Sequence, residues 1–73
     1  MDTMDRTAVQ SSEIAIIGYD HEWGTLEIVF RRGGVYHYSG VPEKIYQGLM
    51  AAPSQGTFFA ERIKPKYPYQ KIS

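Results

Sequence analysis

Hydrophobic patterning begins abruptly in this chain. Residues 1–10, "MDTMDRTAVQ", show no periodicity, so 1–8 read as a flexible leader and 9–73 as a single folded domain. From Ser11 the pattern changes. "EIAIIGYD" is short and isoleucine-rich, which predicts a strand, with Gly18 marking a bend or bulge. "TLEIVF" sets Leu26, Ile28 and Phe30 against Glu27 and Arg31, the period-two signature of a half-buried strand. "DHEWG" connects the two, with a turn-forming Asp at one end and Gly at the other.

"RRGG" then turns the chain back into "VYHYS", and loop length decides which face Tyr36 and Tyr38 occupy. A two-residue loop at Arg32-Gly33 sets Tyr36 opposite Val29, on the face of Glu27 and Arg31. A three-residue loop, Arg31-Arg32-Gly33, gives Gly33 the left-handed position and sets Tyr36 opposite Ile28 and Tyr38 opposite Leu26. The second register gathers the large side chains on one face and is preferred, because so short a chain can cover only one face of its sheet.

Pro42 suits the first position of a helix, since its missing N–H would lack a partner there in any case. "PEKIYQGLMAA" lines up Ile45, Leu49 and Ala52, flanked by Tyr46 and Met50, and Gly48 suggests close packing. Pro53 ends this helix, and Ser54 caps a second one running to about Lys64 with Phe58 or Phe59 and Ile63 on its apolar side. "KYPYQKI" reads as extended. The predicted fold is α+β: a three-stranded antiparallel meander followed by two short helices packed on one face.

Composition sharpens this picture. A chain of 73 residues buries only about 60% of its unfolded surface, so its core must be dense, and ten aromatic residues supply the density. The absence of cysteine excludes disulfides and thiolate metal sites. There is no signal-peptide pattern or apolar run of membrane-spanning length, so the expectation is a cytoplasmic protein without a membrane partner. Formal net charge is zero but unevenly spread: residues 61–73 hold Arg62, Lys64, Lys66 and Lys71 against Glu61. That balance argues against a uniformly basic surface while allowing a local basic patch.

Three stretches carry candidate chemistry. Tyr36-x-Tyr38 is either a core pair or a platform for stacking RNA bases, with the preferred register favouring the core. Ser54 and Gly56 stand at a helix start, where free N–H groups attract anions, although an ordinary N-cap explains them as well. "ERIKPKYPYQK" interleaves Arg62, Lys64 and Lys66 with Tyr67 and Tyr69, a composition suited to single-stranded RNA or to a tyrosine-anchored tail. By contrast, Asp20, His21 and Glu22 are neighbours in one turn and seldom converge on one reacting atom. No enzymatic activity, metal or cofactor is expected. Trp23 either clips that loop to the sheet or offers an exposed contact.

Taken together, "SSEIAIIGYD", "LEIVF" and "GGVYHYSGVPEKIYQGLMAAPSQGTFFAERIKPKYPY" resemble the KTSC domain, a small bacterial module at the C-terminus of some lysyl-tRNA synthetases that also stands alone. The resemblance rests on the tyrosine pair, Val41-Pro42, the run Ser54, Gly56, Phe59, then Ile63-Lys64 and Tyr67, and it spans Val9 to about Ile72. It implies a non-catalytic binding module, with RNA (tRNA) as the partner suggested by association. Tyr36, Tyr38, Arg62, Lys64, Lys66 and Tyr67 are the candidate contacts. The alternative is a protein-interaction module or a homodimer joined through a sheet edge or the Trp23 loop.

Overall fold

The computed structural model describes residues 4–73. The chain builds one antiparallel sheet in sequence order: β1 (Asp5–Ala8), β2 (Ile14–Asp20), β3 (Thr25–Phe30), β4 (Val35–Tyr38) and β5 (Tyr69–Lys71). Between β4 and β5 run α1 (Glu43–Ala51) and α2 (Gln55–Phe58), and α2 continues into a wider π-helical turn, Phe59–Ile63.

The α+β class holds, but the sheet has five strands rather than three. Asp5–Ala8, within the stretch read as a flexible leader, pairs with β2 from Asp5 opposite Tyr19 to Ala8 opposite Ile16. All four of its residues are exposed, so burial imposes no alternation on them. Of that leader, residues 1–3 lie outside the described residues, and Met4 precedes the strand. On the other side Tyr69–Lys71 pairs with β4, and Pro68 serves as an entry to the strand rather than a break within it.

The three-residue hairpin is the one formed. Leu26 faces Tyr38 and Ile28 faces Tyr36, and the Phe30 N–H donates to the Gly34 carbonyl at 3.1 Å across the loop. Gly33 and Gly34 both have positive φ there, at 106° and 102°. The irregularity expected at Gly18 falls earlier in β2. Ile14 pairs with Phe30 and Ile16 with Val29, so Ala15 is an extra residue. That bulge brings Ile14 and Ile17 to the same face although they are three apart. Gly18 instead leaves room on the opposite face, where an added Cβ would come 2.9 Å from the Met4 sulfur.

The covered face is the core. Ile14, Ile17, Tyr19, Leu26, Ile28 and Tyr38 from the strands meet Leu49, Phe59 and Ile63 from the helical segment, with Ile45, Tyr46 and Met50 packed alongside. Full burial of each large apolar side chain stabilises by about 1.5–3 kcal/mol. Pro42 acts as the N-cap of α1 rather than its first residue. Ser54 caps α2: its hydroxyl accepts from the Thr57 N–H at 3.3 Å and donates to Thr57 Oγ1 at 3.0 Å. Gly48 is the close approach between helices, since a Cβ there would lie 2.9 Å from the tip of the Phe58 ring. Across the uncovered face runs a row through Gly18, Glu27 and His37, with Arg6 at one end and Gln70 at the other.

Candidate functional site

A cavity of about 750 Å³ opens between the β3–β5 side of the sheet and the π turn. Its aromatic walls come from Phe30, Tyr36, Tyr38, Phe59 and Tyr69, and its charged groups are Arg32, Lys64 and Glu13. Local structure explains the convergence. The β3–β4 register sets Phe30, Tyr36 and Tyr38 on the core side. Tyr69 joins them because it pairs directly with Tyr38. The π turn and the residue capping it supply Phe59, Ala60 and Lys64, and the Lys64 N–H closes the wide turn on the Phe59 carbonyl at 2.9 Å. Such turns are frequent at functional sites.

The five rings form a closed circuit. Centroid distances run Tyr36–Phe30 5.5 Å, Phe30–Phe59 5.7 Å, Phe59–Tyr38 5.2 Å, Tyr38–Tyr69 5.6 Å and Tyr69–Tyr36 5.7 Å. Tyr38 and Phe59 are buried, Phe30 and Tyr36 half-buried, and Tyr69 is 61% exposed. Burial is the main cause that raises the Tyr38 pKa, with Tyr69 and Tyr36 adding to it, so the phenol stays protonated at neutral pH.

The residues singled out from sequence separate into groups. Tyr36, Tyr38 and Lys64 share the cavity. Arg62 lies over the Phe58 ring at 5.7 Å, and Lys66 is exposed beyond the helix. Tyr67 packs half-buried against the core, its N–H bonded to the Ile63 carbonyl at 3.1 Å. Ser54 and Gly56 line a second, smaller hollow of about 330 Å³. There the Glu13 carboxyl lies 3.6 Å from the position of a Cβ on Gly56. A carboxylate at that helix start repels a second anion.

Arg32 and Tyr69 join the cavity as well. Arg32 reads from sequence as a turn residue; Tyr69 stands in the basic-aromatic stretch suited to RNA but outside the candidate contacts, and its alternation with Tyr67 hinted at a strand face. Asp20, His21 and Glu22 do not converge. The Asp20 carboxylate accepts from the Glu22 and Trp23 N–H groups at 2.9 and 3.1 Å, while His21 faces Asp5 at 3.0 Å and Glu43 at 3.3 Å. Trp23 takes the exposed alternative, at 74%. No helix among the described residues is long and apolar enough to cross a membrane.

Comparison with known proteins gives a consistent result. The family model for the KTSC domain matches residues 10–67. An uncharacterized protein of Stutzerimonas stutzeri is 41% identical over 70 residues, covering 94% of this chain and 99% of that protein. A lysine–tRNA ligase of Nostoc punctiforme is 36% identical over 64 residues, which cover 88% of this chain but 11% of the ligase. The crystal structure of a KTSC domain protein from Yersinia pestis superposes with a TM-score of 0.92 at 48% identity, covering 96% of this chain and 99% of that one. This chain belongs to the KTSC domain family.

Proposed function

We propose that this protein is a non-catalytic binding module whose ligand is RNA, tRNA included. The observation that carries this reading is the meeting of Tyr36 and Tyr69 with Lys64 and Arg32 around one cavity, with Tyr38 buried beneath them. Aromatic rings beside cations match what single-stranded RNA presents, namely flat bases joined by phosphates. Lys66 and Arg62, exposed on the same C-terminal segment, extend the positive charge beyond the cavity. The match to part of a lysine–tRNA ligase supports tRNA as the class of ligand. The engagement of Asp20 with the turn's own main-chain N–H groups, and of His21 with Asp5 and Glu43, supports a binding role over a catalytic one.

The test is a titration of isotope-labelled protein with tRNA at low and moderate salt, following amide shifts. The reading expects salt-sensitive shifts in residues 30–38 and 59–71. Shifts no larger than those given by a neutral polymer would refute it.

A second reading is favoured by a different surface. β1 is an edge strand with all four residues exposed, and Trp23 stands 74% exposed in the β2–β3 loop. Edges and exposed indoles are common means of protein contact. Sedimentation over a range of concentrations tests self-association, and a monomer throughout would remove the homodimer version.

A further inference from the structure

We infer that the groove takes one unpaired nucleotide, its base laid against Tyr69 and Tyr36 and its phosphate held by Lys64 and Arg32; this inference rests on the RNA reading above.

The ring geometry is the first reason. Elsewhere in the fold Tyr19 and Tyr46 stack at 4.4 Å with planes 6° apart, so each closes a face of the other. Tyr69 is placed differently. Its ring is tilted 36° from Tyr38 and 52° from Tyr36, at 5.6 and 5.7 Å. Neither neighbour lies parallel on it, and the side chain is 61% exposed. An exposed tyrosine braced by two others is held in place before a ligand arrives, which lowers the ordering cost of binding. The floor beneath, Tyr38 and Phe59, is buried, the two rings packed edge to face at 5.2 Å.

Charge decides what kind of flat group fits. A cage of aromatic rings also suits an organic cation. Here, however, Arg32 and Lys64 line the cavity against one acid, Glu13, whose carboxyl lies beside Gly56 at the start of α2. Lys71 stands opposite Tyr36 in the β4–β5 register, on the same side of the sheet. The surplus of positive charge disfavours a cation and favours a planar group carrying an anion, which is the chemistry of a nucleotide.

Size and access narrow the choice further. About 750 Å³ lies within the range of roughly 300–1,000 Å³ that holds a small ligand. In a duplex every base except those of the terminal pairs has both faces covered by its neighbours, so unpaired bases present far more open faces to Tyr69. Recognition through a π-face is tolerant of base identity, so the groove is expected to select for strandedness more than for sequence.

The experiment measures binding of a labelled single-stranded RNA and of a blunt duplex of equal length, using the full chain and the variants Tyr69→Ala and Tyr69→Phe. Tyr69 is exposed on a short edge strand, and unchanged circular dichroism checks that each variant is folded. The single strand is expected to bind in preference to the duplex. Tyr69→Ala should weaken it roughly 5- to 150-fold, the range for loss of a stacked base, while Tyr69→Phe retains most of the affinity. AMP should compete, and inorganic phosphate at equal concentration should not. If RNA binds but Tyr69→Ala is without effect, or the duplex binds equally well, the groove assignment is wrong while the RNA reading stands. If neither RNA binds, both fall.

Discussion

The Tyr19 hydroxyl donates a 2.6 Å hydrogen bond to the main-chain carbonyl of Val41. The Val41 N–H in turn donates to the Gly24 carbonyl at 2.9 Å, so both peptide groups at the entry to α1 are held by the β2–β3 hairpin. Val41 is buried, and Tyr46 from α1 stacks on the same Tyr19 ring. One tyrosine therefore fixes where the helical segment begins its path across the sheet. Tyr19→Phe keeps the stack and strands a buried carbonyl. It should cost about 1–2 kcal/mol, read as a lower urea midpoint at unchanged slope.

The uncovered face makes a pH-dependent contribution. The Glu27 carboxylate accepts from Arg6 Nε at 2.7 Å and contacts His37 Nε2 at 2.8 Å. The hydrogen bond from Arg6 is the main cause holding its pKa below the usual carboxylate range; His37 assists and burial opposes. A depressed folded-state pKa gives stability that is present above the unfolded carboxyl pKa and lost as pH falls through the folded value. Because the Arg6 side chain is 42% exposed, solvent screening keeps the contribution to about 1–2 kcal/mol. Glu27→Gln should therefore be less stable than wild type at pH 7, and the two denaturation curves should converge in acid.

His21 behaves in the opposite sense. Its ring bridges Asp5 on β1 at 3.0 Å and Glu43 on α1 at 3.3 Å. The hydrogen bond to Glu43 is foremost in raising its pKa, with Asp5 adding to it. Stability from a raised pKa is complete below the unfolded value and disappears as pH rises through the folded one. Once intrinsic exchange rates are factored out, protection of the β1 amides from hydrogen exchange should fall as His21 deprotonates. In His21→Ala that pH dependence should vanish, and in wild type added salt should weaken it, since the side chains of both acids are more than half exposed.

These contacts show what the sequence could and could not reveal. The β2–β4 meander was readable because burial forces alternation on Leu26, Ile28 and Phe30. The positions of Tyr36 and Tyr38 followed from counting loop residues up to Gly33. β1 was hidden for the converse reason: Asp5 to Ala8 are all exposed, so no apolar pattern marks them. β5 was legible as an extended segment but not as a strand of the sheet, because its residues are all exposed and no burial pattern assigns them a partner. The bulge at Ala15 and the π turn at Phe59–Ile63 have no residue-level signal. The groove was half legible: Tyr36, Tyr38, Lys64 and Tyr69 drew notice by residue type, whereas Arg32 read only as a turn residue, and the tertiary fold alone brings its hairpin beside the edge strand that carries Tyr69.

Contacts between RNA protons and the rings of this groove are the decisive observable. In an intermolecular NOE experiment on labelled protein with a short single-stranded RNA, base and ribose protons should show cross-peaks to the Tyr36 and Tyr69 rings and to the Lys64 side chain. Cross-peaks confined to the Glu27–His37 face or to Trp23, with the groove silent, would contradict it.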